Sequence, residues 1–215
     1  MTKTPQQKSF VRCLLPWARI NYRNFEWRNN RDPYRVFVAE TLLRRTTSKA
    51  ADRIFCKFLE RYPSIHELVR ADPNVLAEHI RPIGLYQQRS KGLVRAACYL
   101  NEKYNGKFPV TLDDLLGIPH VGEYAARCIL SFGMGIPVPV VDSNVQRVIS
   151  RVFEDTVGPR PSVRHITTIL LELLPKKSHV EFNYGLIDFG SLVCTYRSCH
   201  RVNCPMRAIC DYIQE

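Results

Sequence analysis

The sequence has 215 residues, and 45% of them are hydrophobic, which is enough for a substantial core and argues against a disordered chain. Lysine and arginine number 31 against 20 aspartate and glutamate, so the net charge of +11 favours a polyanionic partner, although many other proteins are basic. No stretch approaches the roughly 20 apolar residues of a membrane span, and the start through Lys8 is polar. We therefore expect an intracellular protein with no membrane partner.

Apolar residues recur at helical spacing along nearly the whole chain, and no alternating run is long enough to build a sheet. The sequence therefore predicts an all-α fold. The clearest helical runs are 54–62, 93–100 and 166–173. Ser64 followed by Glu67 predicts a capping box, and Gly84 and Gly106 predict helix ends.

Residues 115–132 predict two helices joined by a tight turn from Gly117 to Gly122. Such a turn leaves backbone N–H groups at the positive end of the second helix, where they can hold a phosphate without reading bases. A helical turn of this composition is more often a simple connection, so both interpretations stay open.

The stretch 133–139 contains two glycines and two prolines and predicts a boundary between two lobes. Asp142 follows it, directly before a predicted helix with the apolar face Val145, Val148, Ile149 and Val152. An aspartate in this place is ordinarily an N-cap. Capping is compatible with catalysis, because a carboxylate beside a phosphate-binding hairpin would lie near a nucleotide's sugar.

Four of the eight cysteines stand singly among helical residues, namely Cys13, Cys56, Cys98 and Cys128. The other four follow the spacing C-x4-C-x4-C-x5-C as Cys194, Cys199, Cys204 and Cys210. Four thiols so close in sequence indicate a metal site in a reducing compartment rather than disulfides.

The hairpin Ile118–Gly122, followed by Val141–Asn144, resembles the signature of the helix-hairpin-helix DNA glycosylase superfamily. The resemblance runs from about Trp27 to Cys210. Within the superfamily, the segment from Trp27 to Thr47 and the run from Phe182 to Phe189 are most similar to mismatch-specific thymine-DNA glycosylases. Adenine-DNA glycosylases have paired glutamines where Arg44 and Arg45 stand here.

The resemblance implies a six-helix barrel lobe, 30–136, that contains the hairpin 115–132. It also implies a second helical lobe, 1–29 with 137–215, that carries the cysteine cluster 194–210. The implied activity is base-excision repair: a monomeric, monofunctional glycosylase flips thymine or uracil mispaired with guanine out of double-stranded DNA and hydrolyses its glycosidic bond. The DNA partner would carry a mismatched or damaged base, in the cytoplasm or nucleoid.

Three residues acquire catalytic roles from the resemblance. Asp142 would steady positive charge on the sugar, or orient a water. Tyr124 stands where bifunctional relatives carry the lysine that forms a Schiff base, and a phenol cannot form that imine, which implies no lyase activity. Tyr124 would contact base or sugar, or simply be a core residue. Glu40 shares a predicted face with Val36, Leu43 and Thr47, and would donate to the base or orient water, unless it is a solvated helix-end residue.

Other positions match DNA contacts of the superfamily. Arg45 and Leu85 match residues that wedge into the base stack, with Gln87 beside Leu85; the alternatives are a solvated charge and a hydrophobic anchor. The hairpin residues His120, Val121 and Gly122 would contact the DNA backbone. His120 replaces the usual first glycine, so either its backbone tolerates a positive φ less well or its side chain adds a phosphate contact.

The resemblance also implies a [4Fe–4S] cluster on Cys194, Cys199, Cys204 and Cys210. Relatives with this cluster typically show C-x6-C-x2-C-x5-C, so the second cysteine here is displaced by two positions while the overall span matches. Zinc is the less favoured alternative.

Two other functions compete with this interpretation. An adenine-DNA glycosylase acting on adenine opposite guanine or oxidised guanine is disfavoured by Arg44 and Arg45, and by the chain ending soon after Cys210. A non-catalytic DNA-binding module is disfavoured by the presence of both Asp142 and Glu40.

Overall fold

In a computed structural model, the described residues are 3–158, 160–197, 199 and 201–214. These residues confirm the all-α prediction, since they hold no β-strand and only one isolated bridge, between Cys194 and Cys199. The α-helices in chain order are α1 (Pro5–Ile20), α2 (Glu26–Asn29), α3 (Pro33–Leu43), α4 (Ser48–Arg61), α5 (Ile65–Val69), α6 (Pro73–Ile80), α7 (Tyr86–Tyr104), α8 (Leu112–Leu116), α9 (Glu123–Cys128), α10 (Ser143–Val152), α11 (Glu154–Val157), α12 (Val163–Leu173), α13 (His179–Leu192) and α14 (Asp211–Gln214).

Short helical turns complete the described chain. They are the 3₁₀ turns Arg81–Ile83, Lys176–Ser178 and Arg201–Asn203, and a π turn at Ile129–Gly133 that continues α9. Within the described ranges, every helix is too short or too polar to cross a bilayer.

The chain divides into two compact units. One comprises Met1–Arg23 with Pro137–Glu215, and the other comprises Asn24–Ile136. The division after Ile136 falls within the glycine- and proline-containing stretch, where few side chains can bury apolar surface.

In the unit Asn24–Ile136, α3 and α7 supply much of the core. Proline at the first position and the Asp32 side chain, which accepts from Arg35 N at 2.9 Å, start α3. Four consecutive residues of α3, Val36 to Ala39, are buried, so this helix is covered on several sides. On α7, Leu93, Ala97 and Leu100 are fully buried at helical spacing.

Two local predictions in this unit were wrong. Thr47 does not share a helix with Glu40, because α3 ends at Leu43 and the Thr47 side chain caps α4 by accepting from Ala50 N. The capping box at Ser64 is also wrong, because its hydroxyl accepts from His66 N, one residue earlier than a box requires, and donates to the Glu67 carboxylate.

The unit of Met1–Arg23 and Pro137–Glu215 is built around α13. Gly185 lets α1 approach, because a Cβ there would lie 2.7 Å from Ala18 Cβ. Gly190 lets α10 approach in the same way, because a Cβ there would lie 2.7 Å from Asn144 Cβ and 3.0 Å from its backbone carbonyl. The predicted apolar face of α10 is buried in this core, together with Phe10, Phe153 and Phe182.

Candidate active site

Asp142 is the N-cap of α10, as its position in the sequence predicts. Its Oδ1 accepts from Val145 N at 2.7 Å, and its Oδ2 accepts from Asn144 Nδ2 at 3.0 Å. The side chain is half-buried, so the carboxylate remains partly accessible. Two donors on one carboxylate fix its position more tightly than a capping bond alone would.

A series of hydrogen bonds connects Asp142 with Cys194, the first of the four clustered cysteines. Arg147 Nη2 donates to Asn144 Oδ1 at 2.8 Å, which turns the amide nitrogen of Asn144 toward Asp142. The same guanidinium donates to Gly190 O at 2.5 Å and, through Nε, to Cys194 O at 2.7 Å. The orientation of the carboxylate therefore depends on the packing of α10 against α13 and the residues after it.

The segment before Asp142 is fixed by a buried amide on α13. Asn183 Nδ2 donates to Val138 O at 2.9 Å, and Val140 N donates to Asn183 Oδ1 at 3.3 Å. Asn183 is fully buried, so breaking these two hydrogen bonds would leave buried polar groups without a partner or water. Asn183 thus fixes the backbone before Asp142, and Arg147 orients the Asn144 side chain that donates to Asp142.

The predicted hairpin is present, with α8 and α9 joined by the turn Gly117–Gly122. Ile118 and Val121 are buried and anchor the turn through the bond from Val121 N to Ile118 O, 3.1 Å long. Gly122 is the N-cap of α9, and within the described part of the chain no side chain caps this helix. Gly122 and Glu123, at the start of α9, are exposed to solvent.

His120 adopts the positive φ that its substitution for glycine put in question, with φ of 64°. Its ring packs on Gly92 of α7, where a Cβ would come within 3.0 Å of the imidazole. Its carbonyl accepts from Arg44 Nη2 at 2.8 Å. The left-handed backbone is thus offset by packing and a hydrogen bond from two other elements.

Glu40 and Tyr124 lie in the unit Asn24–Ile136, on α3 and α9. Both side chains are half-buried, and Val36, one turn before Glu40, is buried as the predicted face requires. Tyr124 is the second residue of α9, directly after the hairpin turn. Their half-burial suits groups that a ligand can reach.

Arg45 and Leu85, the predicted wedge residues, share an unusual backbone. Both have a positive φ, 52° at Arg45 and 49° at Leu85, which is uncommon for residues other than glycine. Arg45 is exposed, and Leu85 is 40% exposed although it is a large apolar residue. Gln87 is exposed on the first turn of α7.

Two of the four clustered cysteines have raised pKa values. Burial, followed by the neighbouring thiols, raises the pKa of Cys204 and raises that of Cys210 to about 12. Cys194 and Cys210 are buried, and all four are free thiols. Among the described residues, no three ligating side chains stand close enough to hold a metal ion. The donors are nevertheless soft, partly desolvated thiols whose ionisation a bound cation would favour, which fits a thiophilic metal group.

A family model described as HhH-GPD superfamily base excision DNA repair protein matches residues 38–176, the segment that contains Glu40, the hairpin and Asp142. The chain belongs to this superfamily. The expectation drawn from the hairpin and Asp142 is confirmed at the level of the family.

Other HhH-GPD proteins resemble the chain over nearly its full length. A thymine-DNA glycosylase of Aeropyrum pernix is 34% identical over 206 residues, covering 94% of this chain and 92% of that protein. A thymine/uracil-DNA glycosylase of Pyrobaculum aerophilum is 34% identical over 212 residues, covering 96% of this chain and 92% of that protein. The solved structure of a thermostable thymine-DNA glycosylase, 30% identical, superposes with a TM-score of 0.94 over 97% of each chain. A non-covalent endonuclease III–DNA complex, at 24% identity and a TM-score of 0.82, shares the fold.

Sequence reasoning missed several residues that position this superfamily member's site. Asn144 donates to the Asp142 carboxylate, and Arg147 donates to Asn144 and to the carbonyl of Cys194, which is 47 residues away. Arg89 was also missed, although it is a buried arginine, only 5% exposed, in contact with the loops of both wedge residues. An arginine on a helix gives no sequence signal of burial, because arginine is almost always exposed.

Proposed function

We propose that this chain is a monofunctional DNA glycosylase that hydrolyses the bond between thymine or uracil and deoxyribose when the base is mispaired with guanine. The relatives named above support the substrate class, since their names state thymine-DNA or thymine/uracil-DNA glycosylase activity. The observation that carries the proposal is the Asp142 carboxylate, half-buried and fixed by donors on both oxygens.

The chemistry needs a fixed negative charge. When the bond between the sugar's anomeric carbon and the base nitrogen breaks, the electron pair leaves with the base and positive charge develops on the sugar. A preoriented carboxylate stabilises that charge without reorganising, which is the general advantage of electrostatic catalysis. Asp142 serves this role. A water then adds to the anomeric carbon and loses a proton, which leaves an abasic strand.

Tyr124 and Glu40 act on the base and on water. Tyr124 offers a phenol that can donate to the base or pack on the sugar, and it has no amine for a Schiff base, so the strand stays intact. Glu40 orients water or donates to the departing base. The half-burial of both side chains supports these roles.

Double-stranded DNA with a mismatched or damaged base is the partner, and the chain acts as a monomer. The net charge of +11 supports contacts with phosphates. The hairpin residues His120, Val121 and Gly122, directly before α9, take a phosphate. Arg45 and Leu85 fill the space that the extruded nucleotide leaves, with Gln87 beside them.

A [4Fe–4S] cluster is held by Cys194, Cys199, Cys204 and Cys210. It stabilises the segment that begins at Cys194, whose carbonyl accepts from Arg147. Their soft donor chemistry and partial burial support this choice, and zinc is the alternative. The cluster contributes a structural cross-link when bound. Arg151, which donates to Thr195 O at 2.9 Å, further ties α10 to this segment.

The test is base release from duplexes that carry thymine, uracil or adenine opposite guanine, read after alkali treatment. Asp142→Asn removes the charge and keeps an N-cap of equal quality, so α10 should persist. Asp72→Asn is the matched control, because Asp72 is also a helix N-cap, accepting from Asn74 N of α6 at 2.7 Å.

We expect wild type and Asp72→Asn to release thymine and uracil, and Asp142→Asn to release them about 10²–10³-fold more slowly while still binding DNA. Without alkali, no strand break should appear. Release of adenine alone would establish the adenine-specific alternative instead. Equal release by Asp142→Asn and wild type would overturn the assigned mechanism, and DNA binding without any release would identify a binding module.

A further inference from the structure

Arg89 is a buried guanidinium whose partners are not acids. Its acceptors are the backbone carbonyls of residues 41, 42, 44, 83 and 84 and the hydroxyl of Thr46. Three of these carbonyls lie at the end of α3 or just beyond it, where the helix dipole is negative. A buried charge without a carboxylate is costly, so this arrangement points to a positional requirement at its acceptors.

Two of the acceptors stand directly before the predicted wedge residues. Arg89 Nη2 donates to Arg44 O, the carbonyl of the peptide that leads into Arg45. Arg89 Nε donates to Gly84 O at 2.9 Å, the carbonyl of the peptide that leads into Leu85. A hydrogen bond to that oxygen fixes the peptide plane and so restricts the φ of the following residue. Both following residues have the left-handed backbone described above.

We propose that Arg89 is the positioning residue that holds Arg45 and Leu85 in the strained conformations needed to enter the base stack. This inference rests on the proposed function. The planar guanidinium of Arg89 bonds to two loops that are about 40 residues apart in sequence. It therefore fixes the distance between the two wedge side chains as well as the backbone conformation of each. The strained backbone lies at the two wedge residues themselves, which is typical of functional loops.

A lysine at position 89 keeps the positive charge but lacks the several fixed N–H donors of a guanidinium. Its single nitrogen cannot donate to the carbonyls of Arg44 and Gly84 with the geometry of Nη2 and Nε. Arg89→Lys is therefore the informative variant, since it retains a cation among the same carbonyls and leaves fewer of them unsatisfied than an apolar residue would. Arg95→Lys, an exposed arginine on the same helix α7, is the matched control.

The experiment compares the same base in two duplexes that differ in the cost of extrusion. Uracil is placed opposite guanine or opposite an abasic analogue, which cannot pair with it. Single-turnover rates are measured for wild type, Arg89→Lys and Arg95→Lys, with melting temperatures as a check on folding. We expect the rate of Arg89→Lys to fall about tenfold or more on the paired substrate and less than about threefold on the unpaired one. Poorly positioned wedge residues matter most when extruding the base costs more free energy.

A second readout does not depend on catalysis. A 2-aminopurine beside a 2′-fluoro uracil nucleotide, which resists hydrolysis, reports unstacking by its fluorescence. We expect a reduced fluorescence increase for Arg89→Lys, and less than additive effects of Arg89→Lys and Leu85→Ala, because Arg89 acts in part through Leu85.

The outcomes separate the two hypotheses. Equal losses on both duplexes, an unchanged fluorescence signal, or additive effects of Arg89→Lys and Leu85→Ala would overturn the positioning role. A wild type that unstacks the duplex but never releases a base would contradict the proposed function, and the fluorescence of the variants would still decide the role of Arg89.

Discussion

Replacing Gly190 with alanine is expected to disable catalysis by moving Asp142, although Gly190 lies on α13 and does not itself contact the Asp142 carboxylate. The new Cβ would lie 2.7 Å from Asn144 Cβ and 3.0 Å from the carbon and oxygen of its carbonyl. Asn144 donates to Asp142 Oδ2, so a shift of Asn144 is passed on to the carboxylate.

The size of the effect follows from these distances. A separation of 2.7 Å is 0.7 Å short of 3.4 Å, where ordinary contact begins, and neither the Cβ nor the carbonyl of Asn144 can rotate away as a side-chain tip can. Overpacking of this kind costs about 1–3 kcal/mol of stability. A displacement approaching 1 Å at a reacting group costs about 10²-fold in rate. We therefore expect roughly a hundredfold slower base release from a protein that still folds.

Gly185→Ala is the matched control for this prediction. Gly185 lies on the same helix, and its Cβ would also come within 2.7 Å of a neighbour, in this case Ala18 Cβ of α1. Both variants should melt at lower temperature, but only Gly190→Ala should be slow in single-turnover base release after correction for the folded fraction. Similar rates for the two variants would refute the inference that α13 positions Asp142.

Two further predictions concern stability and the metal group. Burial, followed by the charges of Glu67 and Asp32, raises the pKa of Tyr34 well above its ordinary value. Above about pH 10, therefore, the unfolded chain loses this proton and the folded protein keeps it. The free energy of unfolding should then fall by about 1.4 kcal/mol per pH unit. Tyr34→Phe should remove that part of the slope in denaturant unfolding between about pH 9 and 11, and parallel slopes would contradict the assignment. Cys204→Ser should lower bound iron and acid-labile sulfide per chain, whereas Cys98→Ser, on α7, should not; full iron in Cys204→Ser would exclude Cys204 as a ligand.

Local signals in the sequence were sufficient for most elements of the fold. The all-α class, the hairpin at 115–132 and Asp142 as the cap of α10 depend on helical periodicity and on side chains that bond within four residues. The errors at Ser64 and Thr47 arose at helix boundaries, where competing bonds within two or three residues decide the outcome.

Only the tertiary structure decided what surrounds the chemical groups. Asn183, Gly190 and Arg147 act on Asp142 through partners distant in sequence, and Arg89 reaches residues up to 48 positions away. The left-handed backbones of Arg45 and Leu85 likewise depend on those contacts, because local preference opposes them. The sequence by itself thus determined which chemical groups are present and which helix each occupies, whereas their orientation follows from long-range packing and hydrogen bonds that no local pattern encodes.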